Sequence, residues 1–283
     1  MILIDYNQTG IASVMQQLNS DPKAKVEEAL IRHIVLNTIR SYIQQFRAKY
    51  GSVVICCDSK KYWRRDVFPF YKAHRRKDRE KSEYDWNLIF DTLGKIREEL
   101  KEYFPYRVLE VEGAEADDII AVLAARFSPT EPILIISSDK DFVQLQKYKG
   151  VSQYSPILKR FISTDDPHSF VKEHILKGDR GDGIPNFLSA DNVFIIGERQ
   201  KAINKKKLSE WIITKPEDFC VNDSMLRGYQ RNQMLVDLDF IPSDIQKGIV
   251  ENFETAKTGS KMNMLNYFIE KRLSNLIEVA DEF

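Results

Sequence analysis

At 283 residues the chain is long enough for one large domain, or for a main domain with a smaller appendage. Its composition, 43% hydrophobic and 30% charged, is that of a globular protein with an ample core, which excludes a disordered chain. The 42 basic residues balance 42 acidic ones, so only the distribution of charge along the chain is informative about partners.

Several classes of protein are excluded by what the sequence lacks. No apolar run approaches the ~20 residues of a transmembrane helix, and the N-terminus enters an apolar strand without the regions of a signal peptide. The three cysteines form no Cys-x-x-Cys pair, so zinc is not expected. The four histidines are scattered, and we expect structural or solvent-exposed roles for His33, His74, His168 and His174. Free thiols inside a predicted strand fit a reducing cytoplasm, where we expect this protein to act without membrane contact.

The first part of the chain alternates short β-branched runs with longer amphipathic segments. In chain order the patterns predict strand 1–6, helix 24–49, strand 53–57, helix 85–103, strand 107–111, helix 115–127, strand 133–136, a short helix near 141–147, and edge strands near 151–154 and 159–163. A basic segment, 60–82, is less regular. The alternation predicts an α/β fold with a mostly parallel sheet covered by helices on both faces.

Beyond residue 167 the pattern becomes wholly helical. We predict helices at about 168–177, 190–210, 227–236, 243–254 and 261–271. Glycines and a proline between residues 178 and 185 punctuate the change. The predicted organisation is therefore an α/β core at 1–178, which includes the basic segment, and a helical region at 179–283.

Aspartates stand at the end of three predicted strands: Asp5, Asp58 and Asp139. In open α/β sheets, ligands bind outside the carboxyl ends of the strands. Six further acids occur in short clusters elsewhere in the chain: Glu115, Asp117, Asp118, Asp141, Asp179 and Asp182. Taken singly, each acid is more typical of a helix cap or a turn. Nine carboxylates in one cleft would repel one another unless multivalent cations neutralised them, so the sequence predicts a shared metal site.

The residue types suit hard divalent cations. Mg²⁺ and Mn²⁺ prefer oxygen ligands and keep bound waters, and two ions ~3.5–4 Å apart can act on both the attacking and the leaving oxygen of a phosphodiester. Asp139 and Asp141, separated by one residue, can face different ions. Glu115 and Asp118 have an alternative role, because acids stabilise the first turn of a helix. No motif for a covalent nucleophile or a P-loop is present, which leaves hydrolysis by a metal-activated water.

Positive charge is concentrated in the segment 60–82. Residues 60–81 contain ten cations against three acids, a difference of +7, and a second basic cluster lies at 199–207. Phosphate could be bound by Lys72, Arg75 and Arg76, and Tyr71 could stack on a base. A solvated surface helix is the alternative interpretation of this segment.

Taken in order, these motifs resemble the 5′-nuclease (flap endonuclease) family, and within it the T-even-phage ribonucleases H. The resemblance is carried by strand-terminal Asp5 and Asp58, Tyr71-Lys72-Ala73-His74-Arg75, Glu115-Ala116-Asp117-Asp118, Ser137-Ser138-Asp139-Lys140-Asp141 and Gly178-Asp179-Arg180-Gly181-Asp182-Gly183-Ile184-Pro185. Each motif is weak alone, but their order and spacing together are specific, and the similarity extends over nearly the whole chain.

The resemblance implies a Mg²⁺-dependent enzyme, with Mn²⁺ as a substitute, that acts as a 5′→3′ exonuclease and flap endonuclease. It would remove RNA primers and adjacent DNA during lagging-strand replication. Its substrates would be branched or 5′-flap DNA and RNA–DNA hybrids. Its protein partners would be a phage single-stranded-DNA-binding protein and the replisome, in the host cytoplasm if the chain is phage-encoded.

Carried over position by position, the resemblance also implies residue roles. The first metal would be held by Asp5, Asp58, Glu115, Asp117 and Asp139, with Asp118 on or near it, and the second by Asp141, Asp179 and Asp182. Catalysis would fall to Asp58, Asp139, Lys72 and Arg75, with the two cations at the scissile phosphate beneath a helical arch formed by residues 60–82. Nucleic acid would be bound by Arg64, Arg65, Tyr71, Lys72, Arg75, Arg76, Arg199, Lys201, Lys205, Lys206 and Lys207.

Two departures from the family pattern matter. The Gly-x-Gly-x-Lys turn of the family's helix–hairpin–helix has only one glycine here, in Gly197-Glu198-Arg199-Gln200-Lys201, which puts a bound K⁺ in doubt. The sequence also starts at the first strand, without the N-terminal extension of the phage relative, which puts binding to a sliding clamp in doubt.

Two other interpretations remain open at this point. A PIN-like ribonuclease would share the sheet and several acids, although the basic segment and the helical region argue against a compact PIN domain. A non-catalytic protein that binds branched DNA would carry a degenerate acidic site, and the presence of all nine acids argues against it.

Overall fold

The computed structural model describes residues 1–20 and 26–283, all of them with side chains except 76–78. One six-stranded sheet forms its centre, with the strands β1 Ile2–Asp5, β2 Val53–Cys57, β3 Arg107–Glu110, β4 Ile133–Ile136, β5 Val151–Ser155 and β6 Arg160–Ile162. The strand order is β3-β2-β1-β4-β5-β6. Every pairing is parallel except β5 with β6, which is an antiparallel hairpin. The predicted fold class is confirmed.

Helices cover both faces of the sheet and continue beyond it. In chain order they are α1 Tyr6–Ser20, α2 Glu28–Tyr50, α3 Arg64–Val67, α4 Arg75–Glu80, α5 Trp86–Tyr103, α6 Ala116–Phe127, α7 Pro167–Lys177, α8 Lys205–Ile213, α9 Pro216–Phe219, α10 Asp223–Val236, α11 Ser243–Thr255, α12 Lys261–Glu270 and α13 Ser274–Ile277. Short 3₁₀ segments occupy Lys140–Lys147, Leu238–Phe240 and Ala280–Glu282. Among the described helices, none is both long and apolar enough to cross a membrane.

The central strands are buried on both faces, which is why they are continuously apolar. Along β1, Ile2 and Ile4 join the core beneath α2 and α5, whereas Leu3 joins the core beneath α6 on the opposite face. Because side chains alternate along a strand, a single run of residues supplies both cores. The parallel register then brings the carboxyl ends of β1, β2 and β4 to the same edge.

Among the longer described helices, one was not predicted and one was predicted wrongly in part. Helix α1 was not predicted, because its buried face includes Thr9 and Gly10 as well as apolar residues. The predicted helix 190–210 is wrong in its first part, since residues 190–204 form turns and irregular backbone and α8 begins only at Lys205. The first residues of the predicted helix 24–49 lie outside the described residues.

The basic segment 60–82 is anchored at its start. Trp63, Phe68 and Tyr71 are buried, and the last two belong to a cluster that includes Ile184 and Tyr229 of the helical region. This packing connects the start of the segment to the second part of the chain. The alternative interpretation of the segment as a solvated surface helix therefore does not fit Trp63, Phe68 and Tyr71.

Candidate metal centre and nucleic-acid interface

The predicted acids converge at the carboxyl edge of the sheet. Asp5 ends β1, Asp58 follows β2, and Asp139 follows β4, and these three strands are neighbours. They line a cleft of about 810 Å³ together with Glu115 and Asp117 at the start of α6. A second, adjoining cleft is lined by four acids, which are Asp139, Asp141, Asp179 and Asp182. Asp139 therefore belongs to both groups.

In the first group, Asp5 and Asp58 have neutral hydrogen-bond donors. The Ser137 hydroxyl donates to Asp5 at 2.9 Å. Asp58 accepts from the side chain of Asn7 at 2.7 Å and from the backbone N–H of Ala116 at 2.8 Å. These bonds fix the orientation of the carboxylates without neutralising their charge.

The electrostatics of this group indicate missing positive charge. Burial, with repulsion from Asp58, raises the pKa of Asp5 to about 7. Burial and the neighbouring Asp139 raise the pKa of Asp117 well above its usual value, and burial likewise raises the pKa of Asp139. Desolvated carboxylates that repel one another favour the binding of cations. The all-oxygen donor set fits Mg²⁺ or Mn²⁺.

Glu115 and Asp118 have a different environment. They form a capping box at the N-terminus of α6. The guanidinium of Arg64 donates to Glu115 at 2.9 Å and to Asp118 at 2.8 Å, and the Trp63 indole also donates to Asp118. Asp118 is 0% exposed with both oxygens hydrogen-bonded, so its position does not fit the predicted role as a metal ligand.

Glu115 also faces the cleft, where it meets Lys72. The Lys72 ammonium lies 2.6 Å from Glu115 and 3.7 Å from Asp182. Burial lowers the pKa of Lys72, but the attraction of Asp182 and Glu115 outweighs it and raises the pKa above its usual value. Lys72 adopts a left-handed backbone with φ 55°, and its N–H donates to the Asp182 carbonyl at 2.7 Å. The fold therefore fixes Lys72 between the two acid groups.

In the second group the carboxylates do have cationic neighbours. Arg75 contacts Asp182 at 2.5 Å, and Lys140 contacts Asp179 at 2.8 Å. His174, at the end of α7, lies 3.0 Å from Asp179 and 3.2 Å from Asp141. Asp141, His174 and Asp179 have ligand atoms within 4.8 Å of one another, a spacing that could hold a metal ion.

The pKa shifts in the second group follow these contacts. Burial and repulsion from Asp139 raise the pKa of Asp141 to about 7, although His174 opposes the shift. Burial raises the pKa of Asp179, but bonds from His174 and Lys140 outweigh it, so that pKa is lowered. Burial lowers the pKa of His174, and the bond to Asp179 more than reverses this effect.

Sequence reasoning missed His174 as a site residue. The only indication in the sequence was the position of this histidine. It lies in the last turn of the predicted helix 168–177, which runs directly into Gly178-Asp179. Gly178 has φ 68°, and a Cβ there would lie 2.4 Å from the carbonyl oxygens of Ile184 and Pro185. The turn after α7 therefore requires glycine, and it brings Asp179 back beneath His174.

Two of the predicted nucleic-acid contacts do not fit their positions. Arg64 is 2% exposed, and besides the two acids its side chain donates to the Leu235 carbonyl at 3.0 Å. Tyr71 is also 2% exposed, and its hydroxyl donates to Asp182 at 2.9 Å. Neither side chain can reach a base or a phosphate from there, so both stabilise the site from within.

The other predicted cations are distributed between the cleft and the helical region. Arg65 is exposed beside the cleft, where its guanidinium lies 4.6 Å from the centroid of the Tyr62 ring. Arg75 also lines the cleft, and the side chain of Arg76 lies outside the described residues. The remaining predicted cations are exposed and lie either after the turn at Gly197 or in the first turn of α8. They are Arg199, Lys201, Lys205, Lys206 and Lys207.

Comparison with known proteins identifies the class. The family model described as "5'-3' exonuclease, N-terminal resolvase-like domain" matches residues 13–174, and the one described as "T4 RNase H, C terminal" matches residues 167–283. The chain therefore belongs to the 5′-3′ exonuclease family, whose members are nucleases that hydrolyse phosphodiesters. The recognition drawn from the motifs is confirmed.

Individual relatives are similar to this chain over different shares of its length. The ribonuclease H of Enterobacteria phage T4 is 35% identical over 292 residues, covering 99% of this chain and 95% of that protein. A 5′-3′ exonuclease of Streptomyces coelicolor is 26% identical, covering 53% of this chain and 55% of that protein.

Solved structures share the fold. The flap endonuclease of bacteriophage T5, in a complex with DNA and metal ions, has a TM-score of 0.64 at 21% identity, covering 90% of this chain and 98% of that chain. The T5 5′-exonuclease with bound zinc has a TM-score of 0.63 at 19% identity, covering 91% of this chain and 99% of that chain.

Proposed function

We propose that this chain is a Mg²⁺-dependent, structure-specific 5′ nuclease with 5′→3′ exonuclease and flap endonuclease activity. Its proposed substrates are branched or 5′-flap DNA and RNA–DNA hybrids, as in removal of RNA primers and adjacent DNA during lagging-strand replication. The observation that carries the proposal is the group of carboxylates at the ends of β1, β2 and β4, which have no ion-pair partner among the described residues and line one cleft with Lys72.

The first divalent cation would be held by Asp5, Asp58, Asp117 and Asp139, whose partners leave their charge available. Glu115 would act at the edge of this set, because Arg64 and Lys72 already occupy its oxygens. A second cation would lie between Asp139 and three further acids, which are Asp141, Asp179 and Asp182. When bound, such ions supply an activated water and stabilise charge on the phosphodiester oxygens.

The residues of the chain itself then bind and orient the substrate. Lys72 and Arg75 line the cleft and would place the scissile phosphate against the carboxylate groups. Because Lys72 is held by Glu115 and a strained backbone, its charge is already positioned before the phosphate arrives. Charge that develops on the phosphate is then stabilised without reorganisation of the protein.

Duplex binding is assigned to the exposed cations of the helical region. Lys205, Lys206 and Lys207 lie in the first turn of α8, and Arg199 and Lys201 follow the turn at Gly197. We accordingly divide the chain into a nuclease core at 1–178 and a duplex-binding region at 179–283. A single-stranded-DNA-binding protein of the replisome would be the protein partner, in the cytoplasm of the host cell.

Product mapping tests this function. The protein is incubated with 5′-labelled flap and blunt duplexes, and with an RNA–DNA hybrid, in the presence of Mg²⁺ or of EDTA. We expect Mg²⁺-dependent products released from the 5′ end, including a fragment cut near the flap junction. Binding without cleavage would favour a non-catalytic branched-DNA-binding protein. Cleavage of single-stranded RNA alone would favour a PIN-like ribonuclease.

A further inference from the structure

Two buried polar atoms in the second acid group have no hydrogen-bond partner among the described residues. They are His174 Nδ1 and Asp141 Oδ1, which face each other at 3.2 Å. His174 is only 6% exposed, so solvent does not easily satisfy its ring. Buried polar atoms are rarely left without a partner, and such an exception indicates an ion or a functional role.

The other ring nitrogen explains the orientation of the imidazole. His174 Nε2 is hydrogen-bonded to Asp179 Oδ2 at 3.0 Å. A neutral imidazole that donates from Nε2 carries its lone pair on Nδ1. In this tautomer the lone pair points at a carboxylate oxygen, so two acceptors face each other and either a proton or a metal cation must lie between them. A histidine that ligates a metal almost always donates its other N–H to a carboxylate or carbonyl in this way.

Distances are consistent with a shared ion. Two neighbouring ligands of an octahedral cation with bonds of ~2.1 Å are ~3.0 Å apart, close to the 3.2 Å between His174 and Asp141. An oxygen of Asp179 also lies within 4.8 Å of the potential ligand atoms of His174 and Asp141. The arrangement has the form of a carboxylate–histidine–metal site.

We propose that His174 Nδ1 is a direct ligand of the second divalent cation, beside Asp141, with Asp179 orienting the ring. This inference rests on the proposed function, because it concerns the second metal of the same cleft. An imidazole nitrogen favours Mn²⁺ or Co²⁺ over Mg²⁺ relative to an all-oxygen set. The two metal positions would therefore differ in selectivity, with oxygen ligands at the first and a mixed set at the second.

Isotope-resolved electron paramagnetic resonance tests the ligand directly. The full-length protein is loaded with excess Mn²⁺ and the bound ions are counted. Electron spin echo envelope modulation is then recorded on unlabelled protein and on protein carrying [¹⁵N]histidine. We expect two bound ions and a histidine nitrogen coupling that changes with the isotope. We also expect His174→Gln to remove the coupling and to weaken binding of the second Mn²⁺ by at least the ~10- to 100-fold typical of losing an outer-shell partner.

A matched control separates this from a general effect of losing a histidine. His33→Gln makes the same substitution on α2, where the His33 ring contacts Asn37, and it should retain the coupling. If His174→Gln does not fold, the isotope comparison on the unsubstituted protein still decides. Two bound ions without a histidine coupling would overturn the inference and leave His174 as a hydrogen-bond partner of the two acids. Binding of a single ion would overturn it as well.

Cleavage of flap DNA in Mg²⁺, measured on the same preparation, distinguishes failure of this inference from failure of the proposed function. Cleavage without a histidine coupling refutes only the ligand role of His174. Absence of both metal binding and cleavage refutes the proposed function itself.

Discussion

Residues of the same type in this cleft differ because their neighbours differ. Asp5 is buried and Asp117 is half-buried beside other carboxylates, whereas Asp118 is buried beside Arg64. The first two need an external cation, and the third already has an internal one. Lys72 shows the same principle for a basic residue, because its ion pair with Glu115 holds it in the cleft rather than at the surface.

Lys72 and the lysines of α8 should have separable effects. Lys72→Ala should lower the cleavage rate far more than duplex affinity, because a cation at the scissile phosphate acts on charge that develops in the transition state. Lys206→Ala with Lys207→Ala should instead weaken binding and reduce its salt dependence by about one log–log unit per lost phosphate contact. Single-turnover rates and salt titrations of binding measure the two effects. Equal defects in both variants would contradict this division.

Arg64 should matter for stability. Arg64→Met leaves Glu115 without its guanidinium partner and Asp118 as an unpaired buried charge, which costs about 3–5 kcal/mol. Urea unfolding measures the loss. Arg65→Met is the matched control, because the neighbouring side chain is exposed, and it should change the free energy of unfolding by about 0.5 kcal/mol or less. Similar losses in the two variants would contradict the role assigned to Arg64.

At the scale of elements, the basic segment 60–82 has two unequal parts. Its first part, 63–71, packs Trp63, Phe68 and Tyr71 into the protein. Its second part includes α4, which lies next to the cleft cations. Packing of the first part requires no substrate, whereas the second part is the one proposed to bind nucleic acid.

Hydrogen exchange tests this difference. Amides of residues 63–71 should exchange slowly in the free protein, because buried Trp63, Phe68 and Tyr71 anchor this stretch and its amides donate to backbone carbonyls. Amides of residues 72–82 should exchange faster and become protected when a 5′-flap substrate is added, with Ca²⁺ in place of Mg²⁺ to prevent cleavage. Helix α5 serves as the internal reference, since its buried face should keep it protected throughout. Equal protection across 60–82, unchanged by DNA, would contradict a substrate-binding role for the second part.

Elements with a strong period were predictable from the sequence, and irregular ones were not. The strands β1, β2 and β4 and helix α5 were predicted within two residues at each end, because their apolar patterns are simple. The backbone at 190–204 was not, since its conformation depends on distant contacts such as Asn186 with the Lys201 carbonyl at 2.8 Å. His174 was missed for the same reason, because its partners come from separate parts of the chain.

At the scale of the whole molecule, the acids make the metal-free protein sensitive to pH. The pKa values of Asp5 and Asp141 are raised to about 7 in the folded state, above the ordinary value of 3.8. The contribution of these two carboxyls to folding stability is therefore fully present below the unfolded pKa and is lost as the pH rises through about 7. His174, whose pKa is also raised, acts in the same direction.

We expect the metal-free protein to be less stable at pH 8 than at pH 6, by about 1 kcal/mol for each such carboxyl. Urea unfolding in EDTA at the two pH values measures this. Saturating Ca²⁺ should stabilise the protein more at pH 8, because the cation compensates carboxylates that are ionised there. A metal-free stability that is constant or rises over this range would contradict the electrostatics of the cleft.

The central claim is that the carboxylates at the sheet edge hold the ions that cleave DNA, and Asp139 belongs to both groups. Asp139→Asn should abolish Mg²⁺-dependent cleavage of a 5′-flap substrate while leaving DNA binding near normal or tighter, because a ligand is lost and repulsion of phosphate falls. Asp165→Asn, at an exposed position, should behave like the unsubstituted protein. If Asp139→Asn retained more than about a tenth of the activity, a loss of less than about 1.4 kcal/mol, the account would be contradicted.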